Sequence, residues 1–124
     1  MLRGKINNKS VFQSKHSFEE RCKESSRILS KYPDRIPIIC EKNMNNKDII
    51  DIDKNKYLVP FDYKCGQFMF TIRQRLNLPA EKGIFISING ITPSVTDTIG
   101  NIYNKYKDKD NFLYIIYSSE NVFG

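Results

Sequence analysis

A run of six apolar and aromatic residues near the C-terminus, FLYIIY at 112–117, constrains the fold more than any other feature. The run has no polar position to face solvent. A strand that alternated between core and water would show one at every second residue, so this run is typical of a central strand buried on both faces. The sequence therefore predicts a sheet with residues 112–117 in its middle.

Three shorter segments predict the other strands, at residues 36–40, 57–60 and 84–88. Pro60 ends the second of these. Because proline cannot donate a hydrogen bond to a neighbouring strand, we expect this segment at the edge of the sheet. Asn89-Gly90 follows the third and favours a tight turn with positive φ.

The first helix is predicted by a capping box. Ser17 and Glu20 stand three residues apart, so each side chain can satisfy the other's free backbone donor. Pro33 ends the helix near Lys31. Its face is expected to carry apolar residues spaced at helical intervals, namely Phe18, Cys22, Leu29 and Tyr32. Residues 1–15 read as a frayed tail or a weak helix.

A second helix is expected to begin at an Asp62 cap, and a short third helix after Thr98. The second has one apolar face made by Cys65, Phe68, Met69, Ile72 and Leu76. The resulting order of helix, β, β, α, β, α, β predicts an α+β fold, a four-stranded mixed sheet with packed helices. We divide the chain into a basic N-terminal helical segment (1–33), a folded domain (34–117) and a C-terminal tail (118–124).

Charge is distributed unevenly along the chain. The formal net charge is +6, yet residues 1–31 hold eight basic and three acidic residues, and the rest holds twelve and eleven. The basic segment could contact anionic lipid, acidic tubulin tails or nucleic acid. It could also be a solvated helix face that only aids solubility.

Several functions are disfavoured by what the sequence lacks. No apolar run reaches the ~18 residues of a membrane span, and no secretory signal is present. The three cysteines are far apart, so we expect reduced thiols, and the single histidine, His16, is expected to be exposed beside a helix cap. No phosphate-binding, zinc-protease or nucleophile motif occurs. We therefore expect no enzyme activity, metal site or cofactor.

Separated blocks of sequence, in a fixed order, resemble the autophagy-related ubiquitin-like modifiers, the GABARAP-like group. The blocks are FEER at 18–21, KYPDRIPII at 31–39, DKNKYLVP at 53–60, GQF at 66–68, IRQR at 72–75, FLY at 112–114 and VFG at 122–124. The resemblance runs from about His16 to the last residue and implies a ubiquitin-like β-grasp fold preceded by an N-terminal helical extension. Residues 1 to about 8 extend beyond typical members.

The resemblance implies that Gly124 is joined to phosphatidylethanolamine, the one covalent group expected on the protein. The partners would be an activating and a conjugating enzyme, and a deconjugating cysteine protease that recognises Phe123. The protein would be a cytoplasmic monomer before conjugation and would lie on autophagosomal or other vesicle membranes afterwards. Asn and Lys richness suggests an AT-rich genome, and in some parasites with such genomes the family member coats a relict plastid.

The resemblance also implies a groove for proteins that carry aromatic-x-x-aliphatic motifs. An extended peptide would add to the edge strand Lys56-Tyr57-Leu58. Pocket 1, for the aromatic anchor, would consist of Glu24, Ile28, Pro37, Lys56, Leu58 and Phe112. Pocket 2, for the aliphatic anchor, would consist of Tyr57, Val59, Pro60, Tyr63, Phe68 and Thr71. Basic residues would attract acidic flanks of the motif, namely Arg35, Lys54, Lys56 and Arg75.

Two departures from the family pattern fall in pocket 2. Thr71 stands where an aliphatic residue is usual, and Tyr63 is bulkier than the usual leucine. They predict a narrowed or altered ligand preference. Two other classes of function stay open: a β-grasp peptide-binding module that is never conjugated, and a basic nucleic-acid-binding domain.

Overall fold

The computed structural model describes residues 10–119. In chain order the helices and strands are α1 Val11–Lys15, α2 Phe18–Lys31, β1 Arg35–Lys42, β2 Lys56–Pro60, α3 Cys65–Leu76, β3 Phe85–Ser87, α4 Ile99–Tyr106 and β4 Leu113–Ser118. The strands form one sheet in the order β2-β1-β4-β3. β1 and β4 are parallel, whereas β2 and β3 pair antiparallel with β1 and β4. The expected four-stranded mixed sheet with β2 at its edge is therefore confirmed.

The apolar run near the C-terminus occupies an interior position, as predicted. β4 lies between β1 and β3, and Leu113, Ile115 and Tyr117 are fully buried. These side chains face the larger core, together with Cys65, Phe68, Ile72 and Leu76 of α3. The predicted apolar face of α3 is thus the face that packs on the sheet.

A second, smaller apolar layer covers the opposite face of the sheet. Phe12 of α1, Ile39 and Phe112 are buried there, with Ile28 of α2 and Tyr114 packed against them. The N-terminal helices therefore seal part of the sheet face that α3 leaves uncovered.

The start and end of α2 follow the prediction, but its packed face does so only in part. Ser17 and Glu20 form the capping box, and the helix ends at Lys31. Phe18 and Tyr32 of the predicted face are 49% and 39% exposed, whereas Ser25 is fully buried. The prediction was wrong for Phe18 and Tyr32, whereas Cys22 and Leu29 are half-buried on the same side as Ser25. Polar contacts to a distant loop, described below, decide which side of α2 turns inward.

The predicted Asp62 cap of α3 was also wrong, since Lys64 is the N-cap residue. Residues 61–62 form a turn after β2, so α3 begins later than predicted. The first free amides of α3 bond to another segment, because Cys65 and Gly66 donate to the carbonyls of Asp97 and Val95 at 2.8 and 2.9 Å. A neighbouring loop thereby supplies what a side-chain cap would have supplied.

The predicted turn and the predicted cap of α4 are both present. Asn89 and Gly90 have φ of 53° and 78°, and the Thr98 side chain accepts from the Asn101 amide. In the described part of the chain, no helix is long and apolar enough to cross a membrane.

Candidate functional site

The outer edge of β2 presents unpaired backbone groups. Cys40 donates to the carbonyl of Asn55 at 2.8 Å and Phe61 to that of Asp34 at 3.1 Å, so odd-numbered residues of this segment bond to β1. Antiparallel pairing alternates strictly, and hence the N–H and C=O groups of Lys56 and Leu58 point away from the sheet. No other strand among residues 10–119 pairs with that side.

Side chains of β2 alternate between the two faces of the sheet. Tyr57 and Val59 lie in the larger core beneath α3. Lys56 faces the opposite way, toward α2, where its Nζ lies 2.7 Å from Oε2 of Glu24. Leu58 shares that face, so the open edge has α2 on one side and α3 on the other.

The six residues predicted for pocket 1 are brought together as three linked pairs. Lys56 and Glu24 form the ion pair just described. Pro37 lies directly opposite Leu58 in the β1–β2 ladder. Ile28 packs against the cluster that holds Phe112.

Phe12 joins two of these pairs, those that contain Lys56 and Phe112, and the sequence reasoning did not assign it to the site. Its ring centroid lies 5.4 Å from that of Phe112, edge to face, and 5.3 Å from Nζ of Lys56. A signal was available, because Ser10 and Gln13 have the spacing of a helix start. In the structure the Ser10 hydroxyl accepts from the Gln13 amide.

Asp110 positions α2 and was likewise missed. Its buried carboxylate receives hydrogen bonds from Arg21 at 2.6 Å, from the Tyr114 hydroxyl and from the Phe112 amide. Its carbonyl accepts from Ser25 at 2.6 Å. These contacts hold α2, which carries Glu24, and they also hold Phe112. The positions of these two pocket 1 residues therefore both depend on Asp110.

Tyr57, Val59 and Phe68 of pocket 2 are buried in the larger core, and Tyr63 packs against it. Phe68 is fully buried and meets the ring of Tyr57 edge to face at 5.5 Å. Burial raises the pKa of Tyr57 to about 12. Its hydroxyl is buried without a hydrogen-bond partner among the described residues. Only the ring of Tyr57 can therefore contribute to an apolar pocket.

Tyr63 and Thr71, the two residues of pocket 2 that depart from the family pattern, form a hydrogen bond with each other. The hydroxyl oxygens of Tyr63 and Thr71 lie 3.1 Å apart. Thr71 uses its single proton to donate to the Gln67 carbonyl at 3.1 Å, so Tyr63 is the donor of the pair. The pair places a satisfied polar bridge at a site expected to receive an aliphatic side chain.

The predicted charge contacts separate into two groups. Arg75 forms a fork with Asp53, with Nε to Oδ1 at 2.9 Å, and its guanidinium holds the pKa of that carboxyl below the usual value. Lys54 lies nearby, with Nζ 5.3 Å from the Tyr57 ring. Arg35 is exposed at the other end of the ladder, opposite Pro60, about 20 Å along the strand from Lys54.

The described residues contain little that could do chemistry. The three cysteines are free, and burial raises the pKa of the Cys40 and Cys65 thiols, the latter to about 11. Among residues 10–119, no group of three or more His, Cys, Asp or Glu could hold a metal ion. Gly124 and Phe123, predicted for conjugation and processing, lie outside the described residues.

The open sheet edge flanked by helices lies on a small mixed sheet in the order β2-β1-β4-β3, and the comparisons with known proteins identify this fold as that of a ubiquitin-like protein. The family model "Autophagy protein Atg8 ubiquitin like" matches residues 20–124. Autophagy-related protein 8 of Pichia angusta is 53% identical over 116 residues, which cover 94% of this chain and 92% of the relative. The Candida albicans protein of the same name is 51% identical, with coverages of 94% and 85%.

The crystal structure of Trypanosoma brucei ATG8 has the same fold. The TM-score is 0.84 at 40% identity, and the match covers 90% of this chain and 95% of the other. The chain therefore belongs to the Atg8 ubiquitin-like family and is a ubiquitin-like modifier of autophagy. The expected fold and the resemblance are both confirmed.

Proposed function

We propose that this protein is joined through Gly124 to phosphatidylethanolamine and then recruits proteins with aromatic-x-x-aliphatic motifs to autophagic membranes. The observation that carries the recruiting role is the open edge of β2, which has α2 on one side and α3 on the other. Unpaired backbone groups of Lys56 and Leu58 are ready to bond to an added strand.

The spacing of the motif fits this arrangement. Side chains of an extended peptide alternate in direction, so the first and fourth residues of the motif point to opposite faces. The pocket 1 residues Lys56 and Leu58 lie on the α2 face, and the pocket 2 residues Tyr57 and Val59 lie on the α3 face. Pro60, also predicted for pocket 2, falls on the α2 face by the same alternation. A motif with its anchors two or four residues apart would place both on the same face, and we expect it to bind poorly.

The positions of the pockets along β2 also give a direction. Pocket 1 is built on Lys56 and Leu58, whereas pocket 2 extends to Val59 and Pro60. A ligand with its aromatic residue first would therefore run parallel to β2. Acidic residues before the aromatic anchor would approach Lys54, and those after the aliphatic anchor would approach Arg35.

The Tyr63–Thr71 bridge supports the predicted change in preference at pocket 2. A long aliphatic side chain entering there must pack against two hydroxyl groups whose protons are already donated, that of Tyr63 to Thr71 and that of Thr71 to the Gln67 carbonyl. We expect a smaller aliphatic anchor such as valine to be favoured over leucine. Since one methylene is worth about 1 kcal/mol in a fitted pocket, the preference would be several-fold.

The conjugating role rests on family membership and on the residue type at position 124. Glycine has no Cβ, so its carboxyl group can enter a narrow enzyme channel. The carboxylate would be adenylated by ATP with release of pyrophosphate, and a cysteine of the activating enzyme would displace AMP to form a thioester. The acyl group would pass to a cysteine of the conjugating enzyme, and the lipid amine would displace that thiol to form an amide. The deconjugating protease would act next to Phe123. The relict-plastid location stays a prediction.

Titration of labelled peptides against three proteins tests the recruiting role. The wild type is compared with Leu58→Arg, which alters the α2 face of the edge, and with Phe70→Ala, a control at a 60% exposed side chain of α3. We expect Leu58→Arg to weaken binding at least tenfold and Phe70→Ala to leave it unchanged. Equal affinities for all three proteins would contradict the proposed groove.

Replacing Gly124 by Ala separates conjugation from peptide binding. Membrane attachment should be lost while peptide affinity is retained. If attachment persists, the protein is not conjugated through this residue. Binding to unrelated RNAs with steep salt dependence, together with no peptide binding, would instead favour a nucleic-acid-binding domain.

A further inference from the structure

Residues 43–50, which we call the β1–β2 loop, are held by hydrogen bonds to the end of β4. Asn43 donates to the carbonyl of Tyr117 at 2.8 Å. The buried Asn46 side chain accepts from the Ser118 hydroxyl at 2.8 Å and from the Ser119 amide at 2.6 Å. The loop is therefore fastened to the residues from which the C-terminal tail departs.

Two large apolar side chains of this loop are exposed, in a loop that is otherwise well anchored. Met44 is 54% exposed and Ile50 is 65% exposed. The neighbouring Ile49 belongs to the core and is only 6% exposed. The Ile50 carbonyl is also bonded to the Tyr117 hydroxyl at 2.7 Å. The protein thus orders a loop and leaves two of its apolar side chains in water.

We infer that the β1–β2 loop contacts the lipid bilayer through Met44 and Ile50 when the protein is attached to a membrane. The inference rests on the proposed conjugation at Gly124. Gly124 is six positions beyond Ser118, the last residue of β4, so the lipid-linked glycine can lie no farther than about 22 Å from the end of β4. Met44 and Ile50 are at most four residues from Asn46, within about 14 Å of it.

The charge of the loop favours apolar insertion over electrostatic attraction. Exposed Lys47 is followed by exposed Asp48, and Asp51 lies 3.7 Å from Nζ of Lys42. The charges of the loop balance, so anionic lipid gains little by contacting it. Apolar side chains can instead enter the boundary between headgroups and acyl chains, where they lose their contact with water.

A single-tryptophan experiment tests this contact, because the chain has no tryptophan of its own. Met44→Trp and Ile50→Trp each report from the loop, and Phe70→Trp is the matched control at a 60% exposed site on α3. Each protein also carries Gly124→Cys and Cys22→Ala. It is coupled through Cys at position 124 to a maleimide lipid in phosphatidylcholine vesicles with brominated acyl chains.

Coupling would be selective because the other thiols are buried, and burial raises the pKa of Cys65 to about 11, so its thiolate is scarce at neutral pH. Bromine quenches tryptophan only on contact with the acyl region. We expect emission at positions 44 and 50 to fall about twofold or more on coupling, and emission at position 70 to stay constant.

Quenching at neither loop position, or equal quenching at all three, would overturn the inference. The chemical tether replaces the conjugating enzymes, so this result does not depend on whether they accept the protein. Failure of the proposed conjugation would appear separately, as loss of the lipid adduct from the wild-type chain.

Discussion

Replacement by phenylalanine is expected to change the free energy of unfolding in opposite directions at two buried tyrosines of the core, Tyr57 and Tyr117. The Tyr57 hydroxyl is buried without a partner among the described residues. The Tyr117 hydroxyl donates to the Ile50 carbonyl at 2.7 Å and accepts from the Ile52 amide at 2.8 Å. Replacing either residue by phenylalanine removes one oxygen and preserves the ring.

The expected magnitudes follow from these contacts. A buried, unpaired hydroxyl costs about 1–3 kcal/mol, so Tyr57→Phe should raise the free energy of unfolding by about 1 kcal/mol. Tyr117→Phe leaves a carbonyl and an amide without their partner. Because Ile50 is exposed, water can reach part of the space around these two groups. We therefore expect Tyr117→Phe to lower the free energy of unfolding by about 2 kcal/mol. The melting temperatures would move by about 3–5 °C per kcal/mol in opposite directions.

Urea unfolding followed by far-ultraviolet circular dichroism measures both changes. The midpoint should rise for Tyr57→Phe and fall for Tyr117→Phe, with an unchanged dependence of the free energy on urea. Peptide affinity should stay the same for Tyr57→Phe, because only its ring borders pocket 2. A destabilisation of Tyr57→Phe similar to that of Tyr117→Phe would refute the reasoning, since it would mean that the Tyr57 hydroxyl is paired.

Three further predictions concern the charge fork, the α2 anchor and pocket 2. Asp53→Asn releases Arg75, so peptides with acidic flanks should bind about two- to fivefold more tightly at low salt, measured by calorimetry. Asp110→Ala leaves a largely buried arginine unpaired and should destabilise the fold by about 3–5 kcal/mol in urea, with weaker peptide binding because α2 is released. Thr71→Leu removes the acceptor of the Tyr63 hydroxyl and should shift the preference of pocket 2 from valine toward leucine anchors in the peptide titration.

Each of these predictions has an outcome that would contradict it. If the affinity of Asp53→Asn for peptides depends neither on the salt concentration nor on acidic flanking residues, Arg75 does not contact ligands. Unchanged stability of Asp110→Ala would mean that the buried pair contributes nothing to the fold. If Thr71→Leu preserves the anchor preference, the hydroxyl bridge does not shape pocket 2.

Local signals in the sequence were sufficient for most helices and strands. The capping box at Ser17 and the apolar stripe of α3 involve residues within one or a few turns, and both were confirmed. The continuous apolar run at 112–117 predicted an interior strand buried on both faces. The interior position of β4 is confirmed, while Tyr114 and Ile116 on its second face are only half-buried. Pro60 indicated the edge position of β2 for an equally local reason.

The elements that were wrong or missed depend on contacts between distant residues. Arg21 and Asp110 are 89 residues apart, and their pairing decides which side of α2 faces the sheet. The start of α3 is set by carbonyls of the loop before α4, which made Asp62 unnecessary as a cap. Ser10 and Gln13 indicate a helix that carries Phe12, but its place in the site depends on an apolar surface made by β1 and β4, which are distant in the sequence.

The proposed conjugation at Gly124 is tested by the mass of the protein recovered from its native membranes. Digestion followed by mass spectrometry should find phosphatidylethanolamine joined by an amide to the carboxyl group of Gly124. The adduct should disappear in the Gly124→Ala protein, which should remain able to bind aromatic-x-x-aliphatic peptides. A membrane-bound protein whose Gly124 carries no lipid would contradict the proposal and leave a peptide-binding module that reaches membranes by another route.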